Sequence, residues 1–440
     1  MASTGERERE RKEVDQRWLA LWAITAAFTA YFCMYAFRKP FAAARFEGEV
    51  LSLAGLEVQL KIAFVISQVI GYALSKFIGI RVVSEAPRHR RALLLLGLVG
   101  VAELALVGFG LLPPAGQVVA MFCNGLPLGA VWGLVFAFLE GRRTTELLGA
   151  GLSTSYIVAS GIVKSVGLAL MDAGVPEVWM PALTGAIFSP AFVIAVIALA
   201  KLPPPSREDI AARTEREPMS GSQRRGFFRR FAPGLLALTF LYVFLTAYRD
   251  FRDNFAAEIF DELGVLDASV FATTETWVAA CVLALLAAMF LIRDNRRALL
   301  GIHALMAAGV VLIAAATLAQ SLGLIGGVTW MILNGVGMYL AYVPYGCVLF
   351  DRLIAATGVV ATSVFMIYVT DAFGYVGSVL VLLFKNFGQA ELSWLEFFRG
   401  FSWATAIVGA LGFLISGLYF SRVTKGARNP TSGDQAGDRA

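Results

Sequence analysis

Two stretches of this chain place arginine, lysine and aspartate at matched positions inside otherwise apolar sequence. Residues 37–47 read FRKPFAAARFE and residues 251–261 read FRDNFAAEIFD. Both follow the pattern F-R-x-x-F-A-A-x-x-F-(E/D), 214 positions apart, and both lie at the far end of a long apolar segment. A charge at the centre of a membrane helix costs about 2.5–3.5 kcal/mol even on the mildest scale, so such residues are retained for a reason. Guanidinium groups offer a planar fork that matches phosphate or carboxylate bidentately, which an ammonium group cannot do. Two of them, related by a repeat, predict a clamp for an anion.

The first candidate is Arg38. Its segment continues through FAAARF, which puts the guanidinium inside the span, whereas a structural arginine would snorkel to the interface. Lys39 follows about 100° further round a helix and either lines the same cavity or anchors the helix end. Arg249 and Arg252 are three residues apart and share one helical face. Asp250 and Asp253 are the carboxylates that would hold them in purely structural ion pairs. Lys76 lies near the inner end of its segment, where snorkelling and a substrate role fit equally; Lys164 is deeper, with VGLALM after it. Glu103, Glu275 and Asp371 are the acidic residues within apolar runs. Glu275 and Asp371 are candidate proton or gating carboxylates, Asp371 above all, mid-run in YVTDAFGYVG, while Glu103 reads as structural. Asn124 and Asn334 read as interhelical hydrogen-bond glue. Glu140 with Arg142, and Asp351 with Arg352, read as charges gating the cytoplasmic side.

The elements that must carry these residues follow from composition. The chain has 440 residues, is 58% hydrophobic and has a mean hydropathy of +0.70. A soluble domain cannot hide that much apolar surface, so the bilayer is its solvent. Runs of about 20 apolar residues span a membrane as helices. Twelve are expected, near 18–43, 57–80, 91–112, 117–139, 150–171, 181–202, 232–258, 270–292, 298–320, 325–349, 355–384 and 398–421. Their length excludes a β-barrel, whose strands alternate over about ten residues. The expectation is an all-α membrane protein of twelve transmembrane helices in two six-helix repeats.

Residues 1–17 form a charged arm, and the first apolar run is too long for a signal-peptide core. Arg7, Arg9, Arg11, Lys12 and Arg17 precede it; Arg88, Arg90 and Arg91 lie after the second segment, Arg142 and Arg143 after the fourth, and Arg293, Arg296 and Arg297 after the eighth. The alternate connections 113–116, 172–180 and 321–327 carry no Lys or Arg. The positive-inside rule then puts both termini in the cytoplasm of a cell or inner membrane. A net charge of +5 needs only positive-inside loops and anionic lipid, not nucleic acid. Cys33, Cys123, Cys281 and Cys347 all fall in apolar runs, without disulfide or zinc spacing. His89 and His303 are far apart, so no metal site and no cofactor are expected.

Residues 203–230, beginning PPPSREDIAARTEREP, are rich in proline and charge and read as a cytoplasmic linker. They divide an N-terminal half, 18–202, from a C-terminal half, 231–421, with a tail at 422–440. The repeat extends beyond the opening motif. RRALLLLG at 90–97 answers RRALLG at 296–301, Asn124-Gly125 answers Asn334-Gly335, and LEGRR at 139–143 answers FDRL at 350–353. Offsets of 206, 210 and 214 hold the register through most of each half. Six-helix halves of like orientation are the parallel repeats of secondary transporters, with substrate near the midplane. Glycines and Pro127 and Pro344 allow close packing and hinge-like bending.

At this point the chain resembles the major facilitator superfamily, and within it the organophosphate/phosphate antiporter branch. That branch carries an Arg-Lys pair late in its first helix, a lysine in a G-x-S-K-F-like stretch of the second, and an arginine in the seventh. Here YAFRKPF gives Arg38-Lys39, GYALSKF gives Lys76 and YVFLTAYRDF gives Arg249. The resemblance implies that two arginines bind the substrate phosphate. Two departures stand out. The superfamily's G-x-x-x-D-R-x-G-R-R loop is here GIRVVSEAPRHRR, and the branch's fifth-helix histidine is absent, with Tyr156 or Lys164 in that region.

The expected function is a secondary active transporter moving a small organic anion by alternating access, as a monomer in the lipid bilayer. A phosphorylated metabolite exchanged for phosphate is the first substrate class, with Arg38 and either Arg249 or Arg252 bridged by the anion. Proton symport of a carboxylate is the alternative within transport, and a transporter-like sensor of an anionic metabolite is another. No nucleophile–base pair, metal cluster or phosphate-cradling glycine loop suggests an enzyme. A Glu215→Cys variant should be labelled by a membrane-permeant maleimide and not by an impermeant one added outside the cell. Labelling by the impermeant reagent would overturn the orientation.

Overall fold

The computed structural model describes residues 4–47, 50–53, 56–85, 87–139, 145–204, 221–265, 267–292, 294–357 and 363–425. Its helices are α1 (Thr4–Ala36), α2 (Leu60–Glu85), α3 (Arg88–Leu111), α4 (Pro114–Leu128), α5 (Val131–Leu139), α6 (Thr145–Asp172) and α7 (Met180–Ala200). After the connecting stretch come α8 (Gly221–Asn254), α9 (Ala256–Glu262), α10 (Val270–Phe290), α11 (Asn295–Ser321), α12 (Gly327–Cys347), α13 (Leu349–Thr357), α14 (Ser363–Leu383) and α15 (Trp394–Val423). Among the described residues, nine spans are long and apolar enough to cross a membrane, and α12 with α13 forms a further pair bent by 53°. The predicted count of twelve is therefore not reproduced by that criterion, although every predicted segment is helical over most of its described length.

Four local features depart from the sequence expectation. The segment 18–43 does not run on as one helix: α1 ends at Ala36, and Pro40–Ala43 form a 3-10 turn. Proline lacks the N–H that an α-helix needs and its ring crowds the preceding turn. Phe37, Arg38 and Ala42 accordingly bond three residues back, to Met34, Tyr35 and Lys39, at 3.0–3.1 Å. Arg38 thus sits just beyond the helix, not within it. The segment 232–258 likewise breaks at Phe255, between α8 and α9. The segment 325–349 ends at Cys347, one turn after Pro344. Last, a short antiparallel hairpin, β1 (Val50–Leu53) with β2 (Leu56–Gln59), pairs Val50 with Gln59 ahead of α2, a piece of β-structure that the all-α expectation did not include. Residues 221–230 of the expected linker are helical as the first turns of α8, while Glu140, Arg142 and residues 205–220 lie outside the described residues.

The chain divides into two units. The first comprises residues 1–213 with Asp253–Thr276 and Asn386–Gly388; the second comprises 214–252, 277–385 and 389–440. In the first, α1 packs on α6 and α7, and α2 packs on α4. Gly125 is what lets α2 and α4 meet so closely, since a Cβ there would collide with the Gln68 carbonyl oxygen. Asn124 beside it ties three elements together. Its Nδ2 donates to the carbonyls of Phe37 (2.9 Å) and Ala102 (3.0 Å), and its Oδ1 accepts from Gln68 at 2.8 Å. Gln68 also donates to the Arg38 carbonyl at 3.0 Å. The turn bearing Arg38 is thus fixed by amides from α2 and α4, the glue role expected of Asn124. Phe46, with a positive φ of 52°, is held in that uncommon conformation by edge contacts to Phe64 and Phe109.

In the second unit α11 packs against α12, α13 and α15. Its core is aromatic: Tyr248 and Phe251 of α8 stack on Phe398 of α15, which also meets Trp330 of α12. Asn334 is fully buried, and Gly335 lies against the Arg252 guanidinium, so the second Asn-Gly pair again neighbours the motif arginine.

Asn124→Leu should remove three hydrogen bonds. At about 0.6 kcal/mol each, and up to about 1.7, the purified protein in detergent should lose roughly 2–3 kcal/mol and melt several degrees lower. An unchanged melting temperature would show that Asn124 does not hold the turn.

Candidate functional site

In the first unit the turn after α1 exposes two adjacent cations to different surroundings. The Arg38 guanidinium lies over the Tyr72 ring of α2, 3.8 Å from its centroid, and only 5% of the residue is exposed. Lys76, one turn further along α2, places its Nζ 5.4 Å from the same ring and 5.9 Å from that of Trp132. Tyr72 therefore gathers two of the predicted substrate residues. Cation–π contacts of this kind are worth up to about 2 kcal/mol once water is excluded, and they orient the guanidinium.

Lys39 points elsewhere. Its Nζ sits 2.5 Å from Asp253 Oδ2 and donates to Asn254 Oδ1 at 3.0 Å. The other oxygen, Asp253 Oδ1, is 2.7 Å from Lys164 Nζ and accepts a hydrogen bond from the Ser160 hydroxyl. Lys164 also donates to the Asp253 backbone carbonyl at 3.0 Å. With only 1% exposed, Lys164 is as deep as the sequence suggested. Gly161 makes this approach possible: a Cβ there would strike the Phe271 carbonyl, holding α6 away from α10. Positions 39 and 253 are equivalents in the two copies of the opening motif, 214 apart, and carry opposite charges. Two ammonium groups and a hydroxyl thus form a cradle that already holds an oxyanion, the protein's own carboxylate.

Two further ion pairs join the same segments. Lys61, at the start of α2, meets Glu258 of α9 at 2.5 Å, donates to the Ala42 carbonyl at 3.1 Å and faces the Phe255 ring. Arg45 meets Asp261 at 2.5 Å and Glu47 at 3.0 Å, with both ends of the Asp261 pair partly in solvent. Glu275 is buried where α10 packs on Gly161, one turn from Lys164.

In the second unit Arg249 and Arg252 part company. Arg249 donates from Nε and Nη2 to Asp250 Oδ1, at 3.1 and 2.7 Å, and from Nη1 to the Tyr342 hydroxyl, whose ring it also covers at 4.5 Å. Its side chain keeps 15% of its surface open. Arg252 is 2% exposed and donates to the Met331 carbonyl at 3.0 Å. Asp250 Oδ2 accepts from Ser378 at 2.7 Å. Tyr242 stacks on Tyr342 and lies 2.9 Å from its hydroxyl, while its own hydroxyl donates to Asp371 Oδ1 at 2.6 Å.

Of the predicted residues, then, Arg38 and Lys76 meet at Tyr72, Lys39 and Lys164 meet at Asp253, and Arg249 joins Asp371 through two tyrosines. Sequence reasoning missed Tyr72, Ser160, Lys61, Glu258, Tyr242 and Tyr342. Tyr72 stands four residues before Lys76, and Tyr242 seven before Arg249, so both share a helical face with a named cation. Ser160 likewise precedes Lys164 by one turn. Among the described residues no group of three or more His, Cys, Asp or Glu is placed to hold a metal.

The profile of a family described as "Family of unknown function (DUF5690)" matches residues 40–423. Among curated proteins, no sequence matches. Solved structures that resemble this one include a D-xylose-proton symporter, with a TM-score of 0.61 at 14% identity, covering 93% of this chain and 98% of that one. A mutant of the peptide transporter POT in complex with alafosfalin gives 0.60 at 12% identity, covering 92% and 96%. The same mutant transporter in complex with sulfate gives 0.61 at 14%, covering 92% and 95%. These are major facilitator transporters, and the likeness establishes that fold for this chain. The organophosphate antiporter branch rests on the sequence motifs alone.

Asp253→Ala should leave Lys39 and Lys164 without their shared carboxylate. Breaking a buried pair from one side costs about 3–5 kcal/mol, so the detergent-purified variant should melt well below wild type. Added inorganic phosphate should restore more stability to the variant than it gives wild type. Equal effects on both would show that the cradle does not accept an external oxyanion.

Proposed function

This chain belongs to the DUF5690 family, and we propose that it is a secondary transporter moving a small organic anion by alternating access. The observation that carries the reading is the cradle of Lys39, Lys164 and Ser160 closed on Asp253. Side chains that hold one oxyanion at 2.5–2.7 Å have the charge and geometry to hold another, and substrate would compete with the internal carboxylate for them. Arg38 and Lys76 are further candidate cations within the first unit, and Arg249 is a candidate within the second. Arg249 is favoured over Arg252 because it is the more exposed of the two. Phosphorylated metabolites are the first substrate class, since guanidinium forks and paired ammonium groups suit a dianionic tetrahedral head. Exchange against phosphate is the assay to use first, because it needs no driving ion.

Proteoliposomes preloaded with phosphate, offered a panel of phosphorylated and carboxylated metabolites, test the class directly. Failure of every anion to exchange overturns it. Within that assay, Arg38→Lys keeps the charge but loses both the fork and flat stacking on Tyr72. Losing one charge-assisted hydrogen bond, worth about 1.5–3 kcal/mol, should cut transport roughly ten- to a hundredfold per folded protein, with expression near normal. Wild-type-like transport would return Arg38 to a structural role.

A further inference from the structure

Three helix ends of the second unit meet at the level where their exposed residues change from apolar to basic. The Tyr419 hydroxyl of α15 donates to the Arg230 carbonyl of α8 at 3.1 Å. A Cβ on Gly234 would strike the Phe420 and Tyr419 rings, so α8 and α15 touch directly there. From α11, Arg296 in the first turn donates from Nη2 to the Ser421 carbonyl of α15 at 3.4 Å. The exposed stripe on each of two helices is ordered. On α8, Arg229, Leu236 and Phe240 are exposed on one helical face. On α15, Leu411, Leu414, Leu418 and Arg422 do the same. Each stripe runs from side chains that suit acyl chains to a guanidinium at headgroup level. Phe227 and Phe231 are buried in edge contact at 5.1 Å, which turns the basic face of α8 outward.

Basic residues at helix ends ordinarily snorkel into water, each solvated by itself. Arg296 departs from that pattern. It is half-buried, and its Nε is shielded from solvent with no hydrogen-bond partner among the described residues. Among those residues no carboxylate forms an ion pair with Arg229, Arg230, Arg296, Arg297 or Arg422. Asp294 is the one carboxylate on the described turns of these three ends, and it caps α11 by accepting from the Arg297 N–H at 2.7 Å. A cluster of this kind lacks both counter-charge and acceptor oxygens. A phosphodiester supplies the two together, in the shape that a guanidinium fork fits. Basic pockets between transmembrane helices hold anionic headgroups by this combination.

We propose that the ends of α8, α11 and α15 form a binding site for an anionic phospholipid. Its phosphodiester sits between Arg296 and Arg422, and its acyl chains lie along the apolar stripes below. The apolar stripes are what select a lipid over a free phosphate. This site is separate from the anion site above and does not depend on what the protein carries.

The test equilibrates the purified full-length protein with equal amounts of phosphatidylglycerol and phosphatidylcholine and counts the retained lipid by native mass spectrometry. Wild type should retain phosphatidylglycerol in preference. The double variant Arg296→Gln with Arg422→Gln should lower that preference roughly twenty- to thirtyfold, at about fivefold for each basic residue near an anionic headgroup. Arg90→Gln with Lys201→Gln removes the same charge from exposed positions at the start of α3 and just after α7 in the first unit, and should leave the preference intact. No preference in wild type overturns the proposal. Equal loss in both double variants also overturns it, because diffuse surface charge then accounts for the binding. Displacement of the retained lipid by millimolar inorganic phosphate would show a site indifferent to acyl chains and overturns the lipid assignment. If the Arg296/Arg422 variant does not fold, wild type alone decides. Raising NaCl from about 0.1 to 1 M shortens the screening length from about 10 to 3 Å, so retention of phosphatidylglycerol should fall while that of phosphatidylcholine holds. A preference that salt leaves unchanged overturns the site.

Discussion

A buried charge without a counter-charge is among the most costly things a protein can contain, and the segments around Asp253 are arranged by that constraint. Lys39 and Lys164 reach one carboxylate from opposite oxygens, and Ser160 fills a remaining lone pair. To bring them there α1 must stop before Pro40, α6 must present Lys164 beside a glycine, and the segment beginning at Asp253 must group with the first unit. The three charges sum to one positive. Neutralisation is therefore good enough to permit burial, and under the proposed function the residual positive charge would favour a visiting anion. A fully balanced cluster would have no such preference, and a bare pair of lysines would not stay buried.

The repeat was legible because arginine in apolar sequence is costly, and evidence of that kind survives in a single sequence. The identities of Arg38, Lys39, Lys164, Arg249 and Asp371 came from the same reasoning. What they touch did not. Periodicity says which residues share a helical face, but contacts between helices depend on packing that one sequence does not encode legibly. Asp253 appeared as a private partner for a neighbouring arginine, yet it binds lysines from α6 and from the turn after α1. Tyr242 and Tyr342 were not among the candidate residues, so the hydroxyl chain from Arg249 to Asp371 was invisible.

Helix breaks were the other gap. Hydropathy over 18–43 and 232–258 stays high on average, because the long runs before the breaks, the 3-10 turn at Pro40–Ala43 and residues Phe255–Ala257 are apolar. A hydropathy window responds to composition and is blind to a lost i→i−4 bond. The proline at position 40 carried the information in the first copy, whereas the second has asparagine there and gave no warning. Irregular backbone at membrane depth is tolerated only where protein or a water-filled cavity satisfies its polar groups. Amides from Gln68 and Asn124 do this for the first break, and Lys164, donating to the Asp253 carbonyl, does it at the second.

A carrier must release what it binds, and an internal carboxylate bears on that requirement. A ligand shifts a conformational equilibrium only by the difference in its affinity for the two states. If Asp253 occupies the lysine cradle in one state, an incoming anion must displace it, and the free energy of the Asp253 contacts is subtracted from the anion's own. Binding is weakened, but so is the barrier to letting go, because the cations are never left bare when substrate departs. The same logic applies to Arg249, which has Asp250 and Tyr342 as resident partners. An arginine with no resident partner would hold an anion more tightly and turn over more slowly. Dense pairing of these cations is thus compatible with the proposed reversible anion site as well as with a structural role.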